Sequence, residues 1–295
     1  MNSRPGPNAP MNRRKLLLAG SAVAATSMLP SAISAANQLD LNERWDRLDA
    51  LAKLRGSVDG SMVMWWMKGT RYGVVDDVVT PMFNMLIGSF VQLKPVPEKG
   101  YQLTMLELSY LADLESGAIL DTFVNPYNDN VCEVPEQRLG PVPILMTPEG
   151  VILPDVPAFG DVDLQTTVGP AIVSGDVVWI RDDSTVKVDS DHPMMGKHTY
   201  NELTTYRGRV SDINNPDLPS APAEVIFQSV TSWREWLRAD GVGGHTTARA
   251  TGAKISRFED FPSEYLAAIR ERHPEIAKDP LAALNAPPPQ PGGHD

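Results

Sequence analysis

The chain is 295 residues long, 42% apolar, and carries 37 acidic against 26 basic residues for a formal charge of -11. That length and apolar share can build a sizeable core, read most simply as a single domain. The acidic balance argues against nucleic acid or an anionic membrane surface as partner, and 26 prolines with 22 glycines suit many short strands better than a helical protein.

The first 36 residues read as an address rather than as fold. Asn12-Arg13-Arg14-Lys15-Leu16-Leu17-Leu18 is a twin-arginine pattern, and the apolar run that follows to Met28 is short and small-residue-rich for a permanent membrane helix. Ala32-Ile33-Ser34 or Ser34-Ala35-Ala36 offers a cleavage site; an uncleaved anchor is the other reading. The expected division is a signal for the twin-arginine translocase over 1–36, one β-rich domain over 37–285 and a solvated, disordered tail over 286–295. The mature protein is then expected in the periplasm or outside the cell, without stable membrane insertion. The single cysteine, Cys132, has no partner for an internal disulfide there and reads as a small buried residue.

Along the mature chain, Leu41, Trp45, Leu48 and Leu51 fall on one face of a helix that Gly56 stops. From Ser61 the period changes to that of a strand, apolar on both faces through Trp66, with a turn at Asp76-Asp77. Val78 to Val91 is ambiguous. Tyr101 to Val134 reads as three antiparallel strands joined by turns at Glu115-Ser116-Gly117 and Asn125 to Asn130. Its alternation slips from odd to even positions near Met105-Leu106, which predicts a bulge that keeps one face inward. A hairpin is expected across Thr147 to Gly150, another turning at Arg181 to Ser184, then strands over Thr199 to Val210 and Glu224 to Trp233. A short helix spans Pro262 to Arg272 and Pro274 ends it. The fold class is mainly β: an antiparallel barrel-like or strongly bent sheet with peripheral N- and C-terminal helices.

No dinucleotide, phosphate-loop, nucleophile-elbow or paired-cysteine motif is present, and no cofactor is implied. The most informative strand places Tyr200, Glu202, Thr204 and Tyr206 on one face, where Glu202 would serve as a base in a barrel interior. A solvent-facing surface fits the same alternation. Asp121 alternates with Ile119 and Phe123, so it is either an inward carboxylate paired with a group such as Arg71 or a turn residue bonding local backbone. Arg71 and Tyr72 follow Trp65-Trp66 and are similarly poised. Trp233 and Trp236 wall a pocket or close the core, and His245 after the glycine-rich loop is the histidine placed nearest a pocket. Asp189, Asp191, His192 and His198 group metal-ligating types without a recognised spacing, so a surface loop is preferred to a metal site.

The runs GTRYGVV, LADLESGAILDTFVNPYNDNVCEV, YNELTTYRGRV and SVTSWREWLRADGVGGH, with Gly252-Ala253-Lys254 and FEDFP, resemble an exported bacterial family of unknown function, DUF1838. The most specific segment is Asp113 to Pro126, where the family usually has Trp in place of Phe123; the chain departs further at Leu139-Gly140-Pro141-Val142, where the family tends to Asn-Asp-Pro-Val. The resemblance implies one exported domain and no mechanism, and adds weight to Tyr72, Asp121, Asn125, Glu202, Trp233, Trp236 and His245. The functional expectation is a pocket for a hydrophobic or aromatic small molecule, with Glu202, Asp121 and His245 as catalytic candidates in a cofactor-independent lyase, isomerase or hydrolase. Arg71, Tyr72, Tyr110, Asn125, Tyr200, Tyr206, Trp233 and Trp236 are the ligand-binding candidates. A carrier without chemistry and an envelope interaction protein with a filled core are the alternatives.

Overall fold

The sheet grows outward from a hairpin. β1 (Val63–Val75) and β2 (Val78–Val96) meet at Asp76-Asp77, whose φ values of 48° and 63° are those of a two-residue turn that matches the strand twist. The ambiguous run after Val78 is thus part of a 19-residue strand. β3 (Gly100–Ala112) returns along β2. The computed structural model describes residues 38–153, 161–189 and 197–287, all within one compact unit, Gln38–Asp295. The signal expected over 1–36 lies outside the described residues, as does the tail from 288.

Ten strands follow one another in a single antiparallel path, nearly closed into a barrel. β6 (Gln137–Thr147) pairs with β3, and β7 (Gly150–Ile152) turns back on β6 at the expected hairpin. On the other side β13 (His245–Ile255) pairs with β1, then β12 (Glu224–Thr231), β11 (His198–Arg209), β10 (Val177–Asp189) and β8 (Asp161–Val168) in turn. β9 (Ile172–Ser174) adds to the flank of β10. The path's two ends meet through a side chain: the Thr166 hydroxyl accepts from the Val151 N–H at 2.7 Å.

Period-2 geometry decides what the barrel encloses. Along β3 the odd positions face inward throughout, from Leu103 to Glu107, Ser109 and Leu111, while Leu106, Leu108 and Tyr110 face outward into a second core. That outer face is covered by α3 (Ser263–Arg272), α4 (Pro274–Lys278) and α5 (Pro280–Leu284), with Tyr265, Ile269, Ile276 and Leu284 fully buried. The slip in alternation therefore records cover on the second face and not a flip of the strand. The irregularity is real but belongs to β6, which carries an extra residue between Leu139 and Val142 opposite Met105 and Glu107. Gly88 in β2 lets α3 come close, since the Tyr265 hydroxyl occupies the space a Cβ there would need.

One end is sealed by α1 (Arg44–Arg55), whose Leu48, Leu51 and Leu54 pack on inward residues such as Leu93, Leu103 and Val178. Gly56 stops the helix as expected, and a Cβ on it would meet Leu93 Cδ1 at 2.5 Å. Trp45, expected on the buried face, is 45% exposed. Lys254 anchors the helix end by donating from Nζ to the carbonyls of Lys53 (2.9 Å), Gly56 (3.0 Å) and Ala221 (2.9 Å). A short α2 (Val210–Ile213) follows β11.

The other end is capped by the hairpin of β4 (Thr122–Val124) and β5 (Val131–Glu133), which forms its own two-stranded sheet. The expectation of three joined strands over Tyr101–Val134 thus holds for the turns, but the last two leave the main sheet. Phe123 contacts Phe83 (5.2 Å between centroids) and Trp236 (6.4 Å), and Cys132 is fully buried beside the Leu237 carbonyl. The hairpin expected at Arg181 to Ser184 does not form: β10 runs straight through those residues. Pro274 ends α3 and at once begins α4.

Candidate functional site: the barrel interior

Between α1 and the β4–β5 cap the interior holds a cavity of about 390 Å³, within the range of small-molecule sites. Trp65, Met67, Phe83, Met85, Ile87 and Trp236 supply an apolar wall. Charged groups enter it from the opposite strands and from both ends. A larger hollow of about 610 Å³ near Lys187 and Lys197 is open to solvent.

At the α1 end Arg55 donates to Asp182 at 2.7 Å, with only 14% and 11% of the two side chains exposed. Asp182 holds the guanidinium's charge against burial, and the Arg55 guanidinium lies 5.8 Å over the ring of Tyr206. Tyr206 in turn meets Trp65 edge-on at 5.6 Å, and burial pushes its phenol well above the usual range. Midway along β11, Glu202 accepts from the hydroxyls of Tyr200 (2.8 Å) and Thr204 (2.9 Å). Burial still raises its carboxyl, the two hydroxyls only partly offsetting the lost water.

Glu107 enters from β3. It accepts from Ser89 Oγ at 3.0 Å, and burial pushes its carboxyl up to about 7, with the Glu202 charge adding to the rise. Both glutamates are half-buried and line the cavity. At the capped end Arg71 donates to Thr246 Oγ1 at 3.1 Å. Arg234 lies 3.0 Å from His198 Nδ1 and 6.0 Å over the Tyr200 ring. A guanidinium can only donate, so His198 accepts at Nδ1 and carries its proton on Nε2.

A family model described as "Protein of unknown function (DUF1838)" matches residues 59–288. The chain belongs to the DUF1838 family. No curated protein matches the sequence. The match spans every strand of the barrel and leaves out α1, so Arg55 is contributed from outside it. Leu139 and Val142 line the cavity.

In this DUF1838 barrel the sequence candidates separate by strand phase. Arg71, Tyr200, Glu202, Tyr206 and Trp236 all line the cavity. Asp121 does not: it lies in the β3–β4 connection with 80% of its side chain exposed, paired with Arg272 at 2.8 Å and not with Arg71. Its alternation with Ile119 and Phe123 belongs to a turn and a separate small sheet. His245 and Tyr72 sit on the outward phase, since Thr246 and Arg71 next to them take the inward one. Tyr110 is buried outside the barrel against Tyr265 (5.3 Å) and His273 (6.0 Å). Asn125 is fully buried but structural, donating to the Leu237 carbonyl at 2.7 Å and so fixing the cap. Trp233 packs on Tyr127 at 5.4 Å and donates to the Gly243 carbonyl at 3.1 Å, away from the cavity. Asp191 and His192 lie outside the described residues; Asp189 pairs with Lys197 at 2.8 Å, and no cluster of three metal-ligating side chains occurs among the described residues.

The residues missed in the sequence are Glu107, Asp182, Arg55 and Arg234. The signal for two of them was available. Val178, Ile180, Asp182, Ser184, Val186 and Val188 keep one phase through β10. Glu107 and Ser109 likewise keep the phase of Leu103 and Leu111 in β3.

Proposed function

We propose that the barrel interior binds a small, largely apolar molecule and performs acid–base chemistry on it without a cofactor, as a lyase, isomerase or hydrolase does. The observation that carries this reading is one cavity whose apolar wall shares the space with the carboxyls of Glu107 and Glu202. Glu107, raised to about 7, can give or take a proton at neutral pH. Glu202, fixed by two hydroxyls, positions Tyr200 and supplies the fixed negative charge against which a developing positive centre is stabilised.

The test is native mass spectrometry of the mature protein from its own host, followed by identification of any released compound and assay of its turnover. An apolar or aromatic compound is expected, with Glu107→Gln losing turnover and retaining binding. A protein that purifies empty and takes up no apolar probe would refute the pocket. One observation favours a carrier as second reading: both Glu202 oxygens are already engaged by hydroxyls of its own strand. A carrier would bind the released compound unchanged. A filled-core envelope protein would have no use for the cavity.

The same proposal places the protein outside the cytoplasm, on the strength of Arg13-Arg14 and the apolar run behind them. Replacing both arginines by lysine should leave the protein in the cytoplasm; export unaffected by that change would refute the route. Among the described residues no helix is long and apolar enough to cross a membrane.

A further inference from the structure

Arg71 is a cation that enters the cavity beside a neutral partner. Its guanidinium lines the cavity from β1, and the contact made for it is the Thr246 hydroxyl at 3.1 Å, a neutral acceptor. No carboxylate lies within ion-pair distance of it among the described residues, whereas Arg55, at the far end of the same cavity, has Asp182 at 2.7 Å. A guanidinium carries five donors in a rigid fork, so one hydroxyl leaves most of them turned to the cavity. Arg234 adds a second positive charge nearby: burial first, and then the Arg71 charge, lower its guanidinium to about 10. Tyr200 completes the wall, with Arg234 above its ring and its hydroxyl committed to Glu202.

A guanidinium such as Arg71, drawn out of water against a single neutral acceptor, favours any anion brought to it. Glu202 shares a register row with Arg71, through Ser229 and Ala248, but is three strands away and bonded to its own strand's hydroxyls. The anion must therefore come with the ligand. Phe83, the register partner of Arg71 on β2, begins the apolar wall immediately next to the cation. The site has a head position and a body position.

We propose that the ligand of this cavity is an amphipathic organic acid, its carboxylate or other anionic oxygen group held by the fork of Arg71 beside Arg234, and its apolar body laid along Phe83, Met85 and Ile87. This rests on the interior being the binding site, as proposed above, and specifies which molecules it takes. Neutral aromatic compounds of the same size fit the wall and leave the Arg71 fork without an anion. Specificity therefore comes from the head group, since a buried donor left without its acceptor is the larger penalty.

The experiment uses two fluorescent probes with the same body, 8-anilinonaphthalene-1-sulfonate and the uncharged N-phenyl-1-naphthylamine, titrated into the full chain. The wild-type protein should bind the sulfonate at least about tenfold tighter. Arg71→Met should bring the two affinities together while the neutral probe still binds. Equal affinities in the wild type, or a preference that survives Arg71→Met, would overturn the anion subsite and leave the apolar pocket standing. Failure of both probes to bind would overturn the pocket and this inference with it. Should Arg71→Met not fold, Arg71→Lys serves: loss of the fork with retention of charge should weaken the preference several-fold, and an unchanged preference would refute the assignment.

Discussion

Glu107→Gln tests whether the interior carboxyl has the character that acid–base chemistry needs. Burial raises this group from 4.5 to about 7, the Glu202 charge adds to the rise, and Ser89, Ser109 and Arg55 oppose it. Between those two values the folded protein holds a proton that the unfolded chain has released. Its stability therefore falls as pH rises through that window, and the favourable contribution present below 4.5 is lost above about 7. The full displacement is worth about 3 kcal/mol. Glu107 is half-buried, and screening brings the expected figure to about 2 kcal/mol. Glutamine resembles the protonated acid and does not titrate. Urea denaturation of both proteins should give similar stabilities at about pH 5 and a variant more stable by about 2 kcal/mol at about pH 8.5. All other titrating groups are shared, so the difference isolates Glu107. A difference flat with pH, or one that favours the wild type in base, would show an ordinary ionised carboxylate and end its assignment as the proton carrier.

Other substitutions probe the frame around it. Asp182→Asn should cost about 3 kcal/mol by leaving the Arg55 charge buried, whereas the pair Arg55→Met with Asp182→Leu should cost far less, both read by chemical denaturation. Lys254→Met removes one donor each from the Lys53, Gly56 and Ala221 carbonyls, of which Lys53 and Gly56 keep the Ala221 N–H and the Ser220 hydroxyl, and should lose about 2 kcal/mol, with exchange of the α1 amides accelerated most. Gly88→Ala drives a methyl into the Tyr265 hydroxyl and should cost about 2 kcal/mol or more by thermal unfolding. Asp121→Ala removes only an exposed ion pair with Arg272, so stability should change by less than about 0.5 kcal/mol and probe binding not at all.

Strand phase was legible wherever one face was polar and one apolar. The β11 row of Tyr200, Glu202, Thr204 and Tyr206 could be read from alternation, although which side faced inward could not. β3 misled because distant helices cover its outer face: Leu106, Leu108 and Tyr110 are buried by residues after Phe258, and no local pattern encodes that contact. In β10 the interior charge disguised itself. Arg181-Asp182-Asp183-Ser184 has the composition of a turn, and only Arg55, 127 positions away, makes Asp182 tolerable inside a strand. His245 and Asp121 failed in the opposite way, since residue type drew attention to positions that the pleat turns outward or leaves on the surface. Functional groups were thus hardest to see where they depart from the rule for their element, which is where a binding interior must depart from it.

The closure of the sheet at Thr166 has a mechanical meaning. A barrel resists widening because each pair of neighbours is tied by a ladder, as β10 and β11 are from Val177 to Val188. Between β7 and β8 the tie is a threonine hydroxyl bonded to Val151, whose rupture costs about 1 kcal/mol. Among the described residues that seam is held by hydroxyl hydrogen bonds, where the neighbouring seams are held by backbone ladders. The interior is thus enclosed by a ring with a clasp.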